Sequence, residues 1–571
     1  MIRRVQVCRR AAGRFDEPGV PPVVARVLAA RGLRQRPDYR LGQLLPPVLS
    51  GLQPAARLLA DAITAGRRIL VVGDFDADGA TGTALAVRGL RGLGAPEVIW
   101  RMPDRVRHGY GMSPLLAREC IADSPAVVVT VDHGISSLEG IALLRGAGIE
   151  VIVTDHHLPG ERLPEASAIV NPNCPGERFG SPNLAGVGVM FYTLIALRQE
   201  LRTRGLDTGY RLDGLLDLVA LGTVADLVPL DENNRRLVHL GLRRIRSGRC
   251  TPGVRALLEV AGRNLAHVGA SDLGFAAGPR LNAAGRLDDI SVGLRCLLAD
   301  DFGQALALAQ RLDDLNRERQ SVQAEMSRDA DRIVASMLDE ADELPAGYLL
   351  SDPSWHPGVV GLVASRICEW RQRPVVALAP AGDGSDEWKG SCRSPAGVHM
   401  RDLLARIDAR HPGVISRYGG HARAAGLSLV EGRIDAFREA FEQAVAALEF
   451  APDRVYTDGE LRPEELTLDS AIALAQAGPW GQGFEEPLFD GRFRVLQRRV
   501  VGSEHLKLLL SPWAGGPEIE AIAFRAGPLC RNELPEPLHV TYRLDVNRWR
   551  GQISLQLVIQ HLVTGVQPAG D

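Results

Sequence analysis

The side chains with the most chemical potential in this chain are acidic and come in short clusters. GDFDADGAT places Asp74, Asp76 and Asp78 at alternate positions, a spacing that points carboxylates the same way along an extended segment. VDHGI carries Asp132, TDHH carries Asp155, His156 and His157, and ALGTVADLVPL carries Asp226. Carboxylates buried side by side lose hydration and repel one another, so they are tolerable only around a compensating cation. Hard oxygen ligands with imidazole suit Mn2+ or Mg2+, and the lack of cysteine at these positions argues against structural zinc. Two such ions about 3.5–4 Å apart can activate a water and steady a leaving oxygen in phosphoryl transfer. Each motif alone has a plainer reading. An Asp after a strand is often a helix N-cap, a His pair is often structural, and DADG is a turn or a calcium loop whose required Glu is missing. Their combination outweighs those readings.

A fifth segment, GPRLNAAGRLDD, is basic and amide-rich. Phosphate is held by guanidinium, imidazole or backbone N–H groups. Arg280 and Asn282 in this segment, Ser391 and Arg393 in GSCRS, and His421 in GGHARAAG are therefore the candidate substrate-binding residues. Any one arginine reads more simply as a solvated surface charge; the Ser/Arg/Gly clustering favours a phosphate pocket.

These side chains need a scaffold that gathers them. RRILVV, PAVVVTV and IEVIV read as buried strands, with helical segments such as TGTALAVRGLRGLG and SSLEGIALLRGAG between them. Strands alternating with helices make an α/β fold with a parallel sheet, and such sheets bind ligands beyond the carboxyl ends of their strands. The acidic motifs, Asp226 included, are expected at four strand ends. A densely charged stretch from about residue 302 to 340 reads as one long helix. GYLLSD, VVGLVASRICEW and RPVVALAP form a second, smaller α/β region, and short alternating strands beyond residue 449 read as a small antiparallel barrel, an OB-fold. The expected division is an N-terminal wrap over 1–65, a catalytic domain over 66–300, a linking helix over 301–342, a substrate-binding domain over 343–448 and an OB-fold nucleic-acid-binding domain over 449–571.

Length and composition agree with several packed cores. At roughly 100–200 residues per domain, 571 residues allow about three or four domains. The net charge of −3 means that a nucleic-acid enzyme of this composition must concentrate its cations on one face. RRLVHLGLRRIRSGR offers Arg235, Arg236, Arg243, Arg244 and Arg246, and the barrel offers Arg494, Arg498, Arg499, Lys507, Arg548, Trp549 and Arg550 as a strand track. The eight cysteines are scattered, with no C-x-x-C pair, and read as free thiols of a reducing cytoplasm. No secretory h-region follows the basic start and no apolar run reaches membrane-spanning length, so no membrane association is expected.

In order along the chain, GDFDADGAT, VDHGI, TDHHLPG, ALGTVADLVPL, GPRLNAAGRL, SWHPGVVGLVASRI, GSCRS and YGGHARAAG resemble the DHH phosphoesterase superfamily and, within it, the RecJ exonuclease family. PWGQGFEEPLF and HLKL are similar to that family's OB-fold. The resemblance covers about residues 70–430 and the tail. It implies a DHH catalytic domain, a DHH-associated domain, two Mn2+ or Mg2+ ions and 5′→3′ hydrolysis of single-stranded DNA to 5′-mononucleotides in DNA repair and recombination. By the same resemblance Asp76 and Asp132 hold one ion with Asp74 beside it, and Asp78, Asp132, His156 and Asp226 hold the other. His157 contacts the scissile phosphate, and Asp155 orients a ligand histidine. Arg280, Ser391 and Arg393 bind the terminal 5′ phosphate; a single-strand-binding protein and a helicase are the implied partners. Two positions depart from the pattern. His133 stands where cysteine is common, and Val72 stands where smaller DHH phosphatases place a metal-binding histidine. The alternatives are a DHH phosphodiesterase for short oligonucleotides or cyclic dinucleotides, which would not need the C-terminal barrel, and a scaffold that lost its chemistry, which would not need the full ligand set.

Overall fold

The computed structural model describes residues 2–567 except 12, 106, 288, 340–344, 383, 449, 451–453, 503, 531–532 and 550. Its contacts divide the chain into two units: Gln35–Arg317 with Ala475–Glu486, and Met1–Arg34 with Glu318–Leu474 and Pro487–Asp571. The first strand of the chain, β1 (Arg4–Arg9), belongs to the second unit.

Five short strands build the sheet of the first unit: β2 (Ile69–Val72), β3 (Val98–Arg101), β4 (Val127–Val131), β5 (Glu150–Thr154) and β6 (Ala168–Val170). All four pairings are parallel, in the order β3-β2-β4-β5-β6. The Val/Ile/Leu runs follow from that, since β2 and β4 are buried along their whole length on both faces. On one face Leu70, Val72, Val128, Val151 and Val153 pack with Met112, Leu116, Ile141 and Leu144. On the other lies α1 (Ala77–Gly92), crossed by α2 (Gly186–Thr203). The small residues of α1 permit this. A Cβ on Gly82 would sit 2.5 Å from Val131 Cγ1, and one on Gly89 would sit 2.3 Å from Leu194 Cδ1. The chain runs from β2 outward to β3 and then back to β4 on the other side. The reversal opens a crevice between the β2 and β4 loops, where open α/β sheets bind ligands. Around this sheet stand α3 (Leu216–Ala225), α4 (Glu232–Arg246) and α5 (Gly278–Leu287), and α6 (Phe302–Asp339) is the single long helix expected from its charge pattern.

The second unit holds two sheets. β7 (Tyr348–Ser351), β8 (Val375–Pro380), β9 (Glu387–Arg393), β10 (Arg417–Gly420) and β11 (Ala424–Val430) pair in the order β10-β11-β9-β8-β7, with α7 (Val360–Arg371) entering between β7 and β8. β12 (Arg454–Thr457), β13 (Phe489–Val501), β14 (His505–Pro512), β15 (Ile519–Ala523), β16 (Leu538–Trp549) and β17 (Gln552–Gln567) supply the other. β17, β15, β14, β13 and β16 close into a five-stranded barrel through the β16–β17 pairing, the expected OB-fold. The sequence reading missed one feature here: β1 lies parallel between β12 and β17 as part of this sheet. Ion pairs to buried carboxylates fasten it and its neighbours. Arg9 Nη2 lies 2.6 Å from the fully buried Asp490, and Arg31 Nη1 lies 2.7 Å from Asp458. Among the described residues no helix is long and apolar enough to cross a membrane.

The Gly82 contact is directly testable. Gly82→Val should lower unfolding stability by roughly 1–3 kcal/mol, the usual cost of overpacking a core, measured by urea denaturation. An unchanged midpoint would mean that α1 does not press on β4 as described.

Candidate metal centre

The carboxylates are aimed by backbone devices that begin where β2 ends. After Val72 the chain turns at Gly73 and Asp74, and α1 starts at Ala77 with Asp76 as its N-cap, accepting from Gly79 N–H at 3.0 Å. The turn is tight enough that a Cβ on Gly79 would lie 2.4 Å from Asp74 O. α5 braces it from outside. Asn282 Oδ1 accepts from Ala77 N–H at 2.8 Å, and a Cβ on Gly285 would lie 2.0 Å from Phe75 O. Asn282 therefore supports the acidic loop, a role that the sequence did not reveal.

Asp78 points from the first turn of α1 to the first turn of α2, where its carboxylate takes N–H bonds from Gly186 at 2.6 Å and Val187 at 3.0 Å. The helix N-terminus offers these unpaired donors and a favourable dipole to a buried anion. Asp132 follows β4 with φ 68°, a left-handed conformation that Asp tolerates better than most residues. Gly186 makes room for it: a Cβ there would lie 2.5 Å from Asp132 Cβ. Asp226 departs from the expected placement. ALGTVA is helical, and Asp226 caps the C-terminus of α3. Three acidic motifs, not four, end parallel strands; the fourth arrives on a helix because its apolar run is packed on all sides.

The ligand-type atoms converge. One oxygen each from Asp74, Asp76 and Asp132 lie within 4.8 Å of one another, as do atoms of Asp78, His156 and Asp226, and of Asp132, His156 and His157. His156 Nε2 is 3.1 Å from Asp132 Oδ1 and 3.5 Å from Asp226 Oδ2. These contacts are short but not aligned as hydrogen bonds: His156 Nε2, Asp132 Oδ1 and Asp74 Oδ1 are all buried without a hydrogen-bond partner. Buried polar atoms are almost always satisfied, so these three orphans, spread over adjoining ligand groups that share Asp132 or His156, fit divalent cations. The electrostatics agree. Burial first, and neighbouring carboxylates second, push Asp74 up to about 8 and Asp78 to about 7. The same causes raise Asp132 and Asp226 well above the ordinary carboxylate range. Burial lowers His156 to about 4, leaving a neutral imidazole able to ligate.

Asp155 has a different partner from the one expected. Its Oδ1 takes the His157 ring at Nδ1, 2.8 Å away, and the N–H groups of His156 and His157, while Oδ2 takes Ile135 N–H. It orients His157 rather than the ligand-type His156. Burial works against both charges of this pair, but their hydrogen bond and attraction leave Asp155 below and His157 above its ordinary value. Asn171 and Asn173, unremarked in the sequence, hold the carbonyls of His157 and His156 at 2.9 and 2.6 Å. His133 turns away from the cluster. Its Nε2 faces Val72 O at 3.1 Å, and burial holds it neutral, lowered to about 4.

The substrate candidates fall in two groups. Arg280 is engaged with Asp313 of α6 at 2.6 Å and Ala276 O at 2.7 Å, in the same unit as Asn282. In the other unit Ser391 and Arg393 come together on β9, with Arg393 donating to Ser391 Oγ at 2.9 Å and to Ser365 Oγ of α7 at 3.0 Å. Gly361, near the start of α7, leaves the space open; a Cβ there would lie 3.0 Å from Ser391 Oγ. His421 follows β10, is exposed, and donates its backbone N–H to Ala424 O. The basic helix α4 is more engaged than a solvated track would be. Arg235 is buried over Phe484, Arg236 binds Asp38 O, and Arg246 binds Val268 O. In the barrel Arg494 lies over the exposed Trp513, whereas Arg550 and the side chain of Trp549 lie outside the described residues.

Comparison with known proteins adds the following. Residues 68–223 match the DHH family N-terminal domain, 331–447 the DHHA1 domain and 457–561 the RecJ OB domain. The single-stranded-DNA-specific exonuclease RecJ of Dickeya dadantii (strain 3937) is 50% identical over 98% of this chain and 99% of its own length. The protein of that name from Escherichia coli (strain K12) is 48% identical over 98% and 100%. The crystal structure of RecJ in complex with Mn2+ from Thermus thermophilus superposes with a TM-score of 0.79 at 33% identity, covering 97% of this chain and 79% of that one.

Two outcomes are expected at this centre. A cation binds the ionised carboxylates, and metal-free Asp74 and Asp78 retain protons up to about 8 and about 7. Affinity for Mn2+, read by titration calorimetry, should therefore rise from pH 6 to pH 8 with proton release that shrinks over the same range. Because these folded-state values lie above unfolded ones, the metal-free chain should lose stability as pH rises from 4 to 8. Second, Asn282→Ala should weaken Mn2+ binding by about 10–100-fold, the usual cost of removing a group that supports ligands.

Proposed function

The chain belongs to the RecJ family, and from that premise we propose that it is a metal-dependent exonuclease that degrades single-stranded DNA from its 5′ end. The observation that carries this reading is the convergence of Asp74, Asp76, Asp78, Asp132, His156 and Asp226 with three buried atoms left unpaired. Asp74, Asp76 and Asp132 would hold one Mn2+ or Mg2+, and Asp78, His156 and Asp226 with Asp132 the other. Bound there, two divalent ions supply Lewis acidity toward a water and a phosphate oxygen.

The protein's own groups do the rest. Asp132 belongs to a ligand group on either side, so it ties the two positions together. The N-terminus of α2 keeps Asp78 fixed and partly offsets the burial and repulsion that raise its proton affinity. Asp155 holds the His157 ring so that its other nitrogen can donate to a phosphate oxygen. Asn282 supports the acidic loop. Ser391, Arg393 and Ser365, with His421, are the proposed phosphate holders of one unit, and Arg280 is a proposed phosphate contact on the other. An enzyme that requires a 5′ end phosphate releases 5′-mononucleotides and regenerates its own substrate at each step. The closed barrel, with Arg494 over Trp513, is the proposed strand-binding surface. A single-strand-binding protein and a helicase are the proposed partners, and the cytoplasm the proposed compartment.

The test is a product assay on 5′-labelled single-stranded DNA with and without Mn2+. Labelled mononucleotide should accumulate only with metal, and Asp132→Ala should abolish it while the chain stays folded by circular dichroism. Preference for dinucleotides over long strands would instead favour a small-substrate phosphodiesterase.

A further inference from the structure

Three residues outside the ligand set crowd the metal centre. Phe75 lies between Asp74 and Asp76, its carbonyl pinned against Gly285 and its ring partly exposed. The Arg105 guanidinium carbon lies 5.0 Å from that ring's centroid. Tyr110 meets the ring edge-on, with centroids 6.3 Å apart at 75°. Tyr110 also meets His157 edge-on at 5.7 Å, and its hydroxyl lies 3.1 Å from His157 Nδ1. Despite these contacts Tyr110 keeps 49% of its surface exposed.

The loop that presents Tyr110 is braced rather than loose. His108 N–H donates to Asp104 O, Asp104 N–H to His108 Nδ1 and Arg107 N–H to Asp104 Oδ1, each at 2.9 Å. Glu119 on the following helix takes Arg107 at 2.7 Å and His108 at 3.4 Å. Gly109 and Gly111, with φ 72° and 79°, flank Tyr110. A ring fixed this way but open to water loses little side-chain entropy when something covers it.

We propose that Tyr110, backed by Phe75, is the platform on which the base of the nucleotide being released stacks, with Arg105 lying beside its sugar and phosphate. The inference rests on the exonuclease reading of the same centre. His157 is the residue assigned to the scissile phosphate, and Tyr110 touches it. A base stacked on Tyr110 therefore belongs to a nucleotide flanking that phosphate. Every base has a π-face, so the platform tolerates any sequence but requires a base. The cation over Phe75 strengthens the aromatic cluster and suits an anionic strand.

The experiment compares kcat/KM of the full chain, with Mn2+, on single strands ending in a normal or an abasic 5′-phosphorylated nucleotide. Wild type should be slower on the abasic end by about tenfold or more, the worth of one stacked base. Tyr110→Ala should slow the normal end by a similar factor and the abasic end little further. Tyr110→Phe should keep the wild-type KM and the wild-type abasic penalty. The proposal is overturned if wild type treats both ends alike, or if Tyr110→Ala slows both ends equally. It is also overturned if Tyr110→Phe is as impaired as Tyr110→Ala, which would assign Tyr110 to holding His157. Unchanged Mn2+ affinity in Tyr110→Ala supports the proposal by excluding loss of fold, and the wild-type comparison needs no variant. Absence of any wild-type activity on single strands would instead remove the exonuclease reading beneath it.

Discussion

The structure depends on one electrostatic constraint: three buried carboxylates, Asp74, Asp78 and Asp132, and the partly exposed Asp226 are driven together where water solvates them poorly. Burial first, and mutual repulsion second, raise their proton affinities, and Asp74 Oδ1 and Asp132 Oδ1 are left without hydrogen-bond partners. Replacing one would relax the repulsion, yet the fold instead devotes glycines, helix ends and amides to keeping all of them in place. That arrangement makes physical sense when divalent cations complete the charge balance.

The supporting devices act on the backbone more than on side chains. α2 directs its N-terminal N–H groups at Asp78, and Gly186, which supplies one of them, also leaves room for Asp132 at a positive φ. Asn282 and Gly285 press α5 onto the acidic loop, while Asn171 and Asn173 hold the carbonyls beside His156 and His157. The result is a centre whose geometry is set before anything binds, which lowers the ordering cost of catalysis.

A second constraint lies far from the chemistry. The chain's first strand is inserted between β12 and β17, and the buried carboxylates Asp490 and Asp458 take Arg9 and Arg31. Residues from opposite ends of the chain therefore share one sheet. The Pro- and Arg-rich start reads as a wrap because its partners are invisible locally. Arg235 of α4 misleads in the same way: its place in a basic run suits a solvated face, but it is stacked on Phe484, a residue far along the chain in the 475–486 segment.

What the sequence determined by itself is the inventory and the scaffold class. Carboxylates after Val/Ile runs, a D-H-H tripeptide and alternating strand and helix periods specified a parallel sheet with acidic loops at its edge, because those patterns are local. The tertiary structure alone decided who touches whom. It put Asp226 on a helix end, turned Asp155 toward His157 rather than His156, pointed His133 away from the cluster and made Asn282 a brace for the loop. Each of these depends on the relative placement of segments far apart in the chain, and packing, not local spacing, sets that placement.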